Sequence, residues 1–272
     1  MSANPFLDPG RVRGDLYRSA DRLAHRTRAL HEAKISGCDV ADTIADLLAA
    51  RLPAGATVLD VGCGRGSTTL HLAARLRPRQ LIAVDASRSL LGTVLTRLGR
   101  AGDNASAVCA DFHRLPLPIG AADAAIAAFC LYHSAQPAVA VAEIARCLRP
   151  GATAVLVTKS LDSYRELDQL VQATGLDPYA TERPSLYQSF HSGNLYDIAA
   201  DGGLTVLDVI HDEHSFRFAD ALHLARYLAT TPKYQIHLSG GIAGVAEALR
   251  QRLPAPPYTT RSTVSYAVAV RP

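Results

Sequence analysis

The segment V-L-D-V-G-C-G-R-G, from Val58 to Gly66, constrains this chain more than any other stretch. An apolar strand runs into glycines at alternate positions, and a helical pattern follows. A strand that ends in glycines and opens a helix brings backbone N–H groups and a helix N-terminus to one point. Glycine is needed because a side chain would hold a ligand away from the backbone. Such a turn belongs to an open α/β sheet that binds ligands at the carboxyl ends of its strands. The glycines run G-x-G-x-G, with Ser67 at the sixth position, so they depart from the dinucleotide fingerprint G-x-G-x-x-G. Asp60 lies two residues before the first glycine.

The flanking pattern predicts the same architecture. Short apolar runs at 57–61, 81–84, 107–110, 123–129 and 153–158 alternate with helical stretches at 87–99 and 137–148 and one ending at residue 76. This is the signature of βαβ units in a parallel sheet covered on both faces. Pro137 suits the first turn of its helix, and Pro150-Gly151 stops that helix before the next strand. Ahead of this core, residues 19–34 are predicted helical with Leu23, Thr27 and Leu30 on one face. Asp39 reads as the N-cap of a helix burying Val40, Ile44, Leu47 and Leu48.

After Lys159 the pattern loosens. Helices are expected at 164–174, 195–200 and 245–253, strands at 204–210 and 262–270, and irregular chain at 177–194 and 216–241. The expectation is a Rossmann-like, doubly wound α/β fold with a mostly parallel seven-stranded sheet. Residues 1–54 would form an N-terminal helical lid, 55–160 the core, 161–203 a small cap insertion for substrate, and 204–272 the completion of the sheet, all in one structural domain.

From residue 56 to about 160 the motifs resemble the class I S-adenosylmethionine (SAM)-dependent methyltransferases, most closely the broad UbiE-like group. Beyond the glycine loop, Leu81 to Asp85 is a second strand ending in an acid, and Asp85-Ala86-Ser87 with Leu90 resembles D-x-S-x-x-[ML]. Ala110-Asp111-Phe112, the L-Y-H of Leu131-Tyr132-His133, and the R-C-L-R-P-G from Arg146 to Gly151 follow in register. The resemblance implies SAM as cofactor, S-adenosylhomocysteine as product, and cofactor-binding roles for Asp60, Gly62, Cys63, Gly64, Asp85, Ala86, Leu90, Asp111, Phe112 and Phe129. In it Asp85 would bind the ribose hydroxyls, Leu90 would pack on adenine and Asp111 would read the adenine amino group. Taken alone, Asp85 also reads as a helix-capping aspartate, since Ser87 and a helix follow. Phe129 and Cys130 replace polar residues common in the family and make that wall more apolar.

Methyl transfer needs alignment more than acid–base chemistry, because the sulfonium leaving group is already activated. His133, at the rim after the fourth core strand, is the candidate general base; its alternative role is to cap a helix or bond a loop carbonyl. Tyr17, Tyr132, Tyr187 and His191 are candidate substrate contacts, and Arg28 is a candidate for the SAM carboxylate, against the reading of a solvated helix face. The run His211-Asp212-Glu213-His214 matches no closed metal spacing, so no metal is expected.

Composition excludes other classes. The net charge is +3 and no Lys/Arg run stands out, which argues against a nucleic-acid surface. No apolar stretch is long enough to span a bilayer, and the first residues do not form a secretory signal. Five cysteines without a C-x-x-C pair read as reduced core residues, so the expectation is a cytoplasmic protein. Arginine outnumbers lysine 25 to 3, the mark of a GC-rich genome. Together these point to a natural-product tailoring enzyme that methylates O, N or C of a small molecule, with a homo-oligomeric state left open. Two competing readings are a SAM-binding cyclase or regulatory module without methyl transfer, and an NAD-dependent oxidoreductase.

Overall fold

The structure, a computed structural model, describes residues 4, 6–8, 10, 20–101, 104–236 and 240–272. In chain order the elements are α1 (Ala20–Ala33), β1 (Lys34–Ser36), α2 (Val40–Ala49), β2 (Thr57–Val61), α3 (Ser67–Leu76), β3 (Gln80–Asp85), α4 (Arg88–Ala101) and β4 (Ala105–Cys109). They continue with β5 (Ala122–Ala128), α5 (Pro137–Cys147), β6 (Leu148–Lys159), α6 (Arg165–Ala173), α7 (Leu195–Asp201), β7 (Thr205–Phe218), α8 (Ala221–Leu228), α9 (Gly241–Arg252) and β8 (Tyr258–Val270).

One sheet carries eight strands in the order β1-β7-β8-β6-β5-β2-β3-β4. Strands β2 to β6 pair in parallel, and β8 enters antiparallel between β6 and β7. Every residue of β2 is buried, as a strand covered on both faces requires. Alternation along the pleat divides its side chains. Val58 joins Ile44, Leu48, Leu72 and Val94 on the face covered by α2, α3 and α4. Leu59 and Val61 join Ile144, Leu195 and Ala199 on the face covered by α5 and α7. Each fully buried Leu or Val contributes about 1.5–3 kcal/mol, so the central strands dominate the stability of the platform.

Three expectations change. The sheet has an eighth strand, because Lys34, expected to end the first helix, instead starts Lys34–Ser36, which pairs antiparallel with β7 at Lys34↔Phe216 and Ser36↔Ser215. The strand predicted at 204–210 runs on to Phe218, since β8 offers partners as far as Phe218↔Tyr258. The stretch 216–241, expected to be irregular, contains α8, capped by the Asp220 carboxylate on the His223 N–H.

The N-terminal segment is also not a lid throughout. Asp39 caps α2 as expected, accepting from the N–H groups of Ala41 and Asp42 at 2.8 and 3.1 Å. That helix, however, lies on the sheet, with Ile44 and Leu48 buried in its core. Only α1 belongs to a second apolar cluster, with Tyr164, Leu167, Phe216, Phe218, Leu224, Tyr227 and Leu249. This cap therefore combines α1, α6, α8 and α9, drawn from three distant parts of the chain. Of the five free cysteines, Cys130 and Cys147 are buried and Cys63 is half-buried, whereas Cys38 and Cys109 are exposed rather than core residues.

Candidate active site

The glycine loop leaves β2 at its carboxyl end and is tied to the next strand. The N–H groups of Gly62 and Cys63 both donate to the Val84 carbonyl, at 2.7 and 3.0 Å. The Asp85 carboxylate accepts from the Gly64 N–H at 2.9 Å and from the Ser87 N–H at 2.8 Å. One side chain thus holds both the loop and the turn into α4, while the helix N–H of Leu90 is met by the Ser87 hydroxyl at 3.4 Å and not by Asp85. Burial pushes the Asp85 carboxyl above the usual range, against the pull of these two N–H groups.

The loop, Asp85-Ala86-Ser87, Leu90, Asp111-Phe112-His113 and Phe129 line one cleft of about 350 Å³ at this end of the sheet. Of the ten residues expected to bind cofactor, nine line it, and Asp60 does not. Asp60 points to the α3 face, where it is 2 % exposed and accepts from the Thr69 hydroxyl at 2.6 Å. Burial pushes its carboxyl up to about 6 despite that bond, and the nearby Asp85 adds to the rise. It braces the loop from beneath rather than lining the cleft.

His113 was not anticipated, because a lone histidine after a strand carries no spacing signal. Its ring bridges the Asp111 carboxylate at 2.7 Å and the Ser134 hydroxyl at 2.7 Å, and Ser134 accepts from the Gln136 N–H at 2.9 Å. The acid is thereby oriented by a chain of contacts from two loops.

A second cavity of about 200 Å³ lies beside the first and shares Arg26, Thr27, Phe129 and Tyr132 with it. Its remaining walls include Tyr164, Tyr187, Tyr227, Tyr234 and Lys159. Tyr132 and Tyr187 meet edge to face at 5.1 Å. Burial raises the phenol pKa of Tyr164, Tyr187 and Tyr227, which keeps their hydroxyls protonated. The Asp168 carboxylate at the edge of this chamber binds Lys233 Nζ at 2.6 Å and the Tyr234 hydroxyl at 2.8 Å.

His133 lines the cleft and its Nδ1 lies 3.1 Å from the Phe6 carbonyl. A carbonyl oxygen only accepts, so this contact puts the proton on Nδ1 and the lone pair on Nε2. Burial pushes the imidazole down to about 4, and it is neutral near pH 7.

Two other expectations move. His191 lines neither cavity; its Nδ1 accepts from the Gly193 N–H at 3.0 Å and its N–H donates to the Asn194 side chain at 2.7 Å, within the turn that starts α7. Arg28 is exposed, while Arg26, two residues earlier and so on another helix face, reaches both cavities. Tyr17 lies outside the described residues. The run from His211 to His214 sits on β7, where His211 meets the Ser265 hydroxyl and His214 meets Asp212, at 2.7 and 2.8 Å. Among the described residues no group of three or more His, Cys, Asp or Glu side chains could hold a metal.

A family profile described as a methyltransferase domain matches residues 59–156. The malonyl-[acyl-carrier protein] O-methyltransferase of Enterobacter lignolyticus is 32% identical over 197 residues, covering 71% of this chain and 72% of that protein. The chain is a class I SAM-dependent methyltransferase by family. The ubiquinone/menaquinone biosynthesis C-methyltransferase UbiE of Syntrophotalea carbinolica is 30% identical over 131 residues, 48% of this chain and 55% of that one. The crystal structure of a SAM-dependent methyltransferase from Aquifex aeolicus aligns with a TM-score of 0.51 at 16% identity, covering 97% of this chain and 95% of the other. The chain spans about half the length of the first curated relatives it matches, 48% and 56%.

SAM is the cofactor of this methyltransferase family, and the cleft fits it. At Gly64 an added Cβ would meet nothing within 4 Å, so the backbone itself borders open space. Two carboxylates, Asp85 and Asp111, and the apolar Leu90 and Phe112 line the same cleft, acceptors suited to the hydroxyls of a ribose beside apolar walls suited to a flat base. Family membership removes the NAD-linked reading.

Proposed function

We propose that this methyltransferase transfers a methyl group to an O, N or C atom of a small molecule held in the tyrosine-lined chamber. The observation that carries the reading is the shared wall: Arg26, Thr27, Phe129 and Tyr132 border both cavities, so cofactor and acceptor would meet there. SAM supplies an electrophilic methyl group on a sulfonium, and its loss leaves S-adenosylhomocysteine. Gly62, Cys63 and Gly64 would hold it through the loop, Asp85 and Ala86 at the ribose, and Leu90, Asp111, Phe112 and Phe129 around the base and its flank. Tyr132 and Tyr187 would position the acceptor edge to face. Where the acceptor is a hydroxyl, Nε2 of the neutral His133 would take its proton as the new bond forms. Closure by α1, rather than by the whole segment 1–54, would exclude water.

The chamber's aromatic walls and the GC-rich composition support a natural-product acceptor. The relatives include both an O- and a C-methyltransferase by name, so the family does not choose the acceptor atom. Incubating the protein with methyl-labelled SAM and a panel of small aromatic metabolites tests the proposal by mass spectrometry. Label in one acceptor supports it. Tight binding of S-adenosylhomocysteine with no labelled product across the panel favours a non-transferring module.

A further inference from the structure

Lys159 ends β6 and lines the tyrosine chamber, and its surroundings set it apart from the other lysine there. Lys233 is taken by Asp168, the only acid among the described residues lining the chamber. Among the described residues no carboxylate lies within ion-pair distance of Lys159. Its Nζ instead donates to the Tyr164 hydroxyl, which puts it at the polar edge of that ring, and lies 5.3 Å from the centre of the Phe129 ring. Lys159 is half-buried and lines the chamber.

Both ring residues hold left-handed backbones, Phe129 at φ +57° and Tyr164 at φ +70°. For a bulky residue that conformation costs about 1–3 kcal/mol and persists where the surrounding structure imposes it. The strain falls on the two aromatic residues that flank Lys159. Cation–π contact returns only part of the hydration that an ammonium loses on burial. Burial and the nearby Arg26 accordingly lower the Lys159 pKa, which an anion beside it would restore.

We infer that Lys159 anchors an anionic oxygen of the acceptor, a carboxylate or an ionised phenol, against the Phe129–Tyr164 walls. The assignment rests on the chamber being the acceptor site. It selects planar, acidic acceptors over neutral or cationic ones.

Two matched pairs of probes test this by calorimetry on the full chain, with and without S-adenosylhomocysteine: 2-naphthoate against 2-naphthamide, and 4-nitrophenolate against 4-nitroanisole. The anionic member of at least one pair should bind about tenfold more tightly, as a charge-assisted contact requires. The pair that shows the preference identifies the oxygen as carboxylate or phenolate. Lys159→Met should abolish the preference and leave S-adenosylhomocysteine affinity unchanged, whereas Lys159→Arg should retain it. No preference in either pair, including no binding at all, overturns the inference, as does a preference that survives Lys159→Met. Failure of S-adenosylhomocysteine to bind the wild-type chain would count against the methyltransferase reading instead, and the probe comparison still reads the anchor on its own.

Discussion

Gly62 and Gly64 are both left-handed, with φ of +69° and +56°, but a side chain would meet different surroundings at each. At Gly62 a Cβ would lie 2.4 Å from Cys130 Cβ and 2.7 Å from its Sγ, so Gly62→Ala must push the end of β5 away. It should cost about 2 kcal/mol or more in urea denaturation, through overpacking added to backbone strain. Gly64→Ala meets open cleft and should cost only about 1–2 kcal/mol, the left-handed penalty alone. Its main effect should be a roughly tenfold or greater loss of S-adenosylhomocysteine affinity by calorimetry, the equivalent of one displaced contact. At His133 the prediction concerns pH. The folded pKa, about 4, lies below the unfolded 6.5, so the unfolded chain binds more protons between those values. The stability this histidine contributes is present above pH 6.5 and is lost as pH falls through 4. Between neutrality and pH about 5 the loss should be on the order of 2 kcal/mol. His133→Gln should flatten that slope in paired denaturation curves. If turnover and acceptor affinity both survive His133→Ala, the proton-transfer role is gone.

At the scale of elements, the cap of α2 is the local feature whose cost is easiest to isolate. Asp39→Ala removes a carboxylate that satisfies two helix N–H groups, and it should lower stability by about 1 kcal/mol without changing cofactor affinity. The lowered pKa of Asp39, which its N–H partners produce against the cost of burial, gives the cap an acid limit. Its contribution is present above the unfolded value of 3.8 and falls away below it. A different kind of element is the segment after α8, which has no regular structure from 231 to 236. The Asp168 carboxylate on α6 holds it through Lys233 and Tyr234, and the Gln235 N–H donates to Asp177 at 2.8 Å. Asp168→Ala should release it at a local cost of about 2–3 kcal/mol, because a partly buried lysine is left without its acid. Hydrogen exchange should speed up across 231–236 while the glycine loop stays protected, and equal protection in both forms would refute the tie.

For the whole molecule, ligand binding and stability are coupled through the sheet, because the cleft is built from the ends of β2, β3, β4 and β5. S-adenosylhomocysteine at about 100 times its Kd should add about 2.7 kcal/mol and raise Tm by roughly 5–10 °C, with NAD giving no shift. The chamber should respond separately, since Leu30, Tyr164, Tyr227 and Tyr234 of its walls belong to the second apolar cluster rather than to the sheet core. Among the described residues no helix is long and apolar enough to cross a membrane.

The central sheet was legible from local sequence because a strand buried on both faces must be mostly apolar, and the middles of β2, β3, β5 and β6 all read that way, with their polar residues few and largely at the ends. The glycine loop was legible for a related reason: close backbone approach permits one residue type. Asp39 and Pro137 marked helix starts through contacts within four residues. What the tertiary structure alone decided depends on partners far along the chain. Lys34–Ser36 becomes a strand only because β7 passes beside it, and β7 extends only because β8 is long enough to pair. The cap closes through contacts such as His223 Nε2 on the Ala29 carbonyl at 3.0 Å, between residues 194 positions apart. Lys159 reads locally as a polar strand end; its place between Phe129 and Tyr164 comes from three separate elements converging. Periodicity encodes which face a residue turns to its own neighbours, while the chemistry of this chamber is set by which distant faces meet.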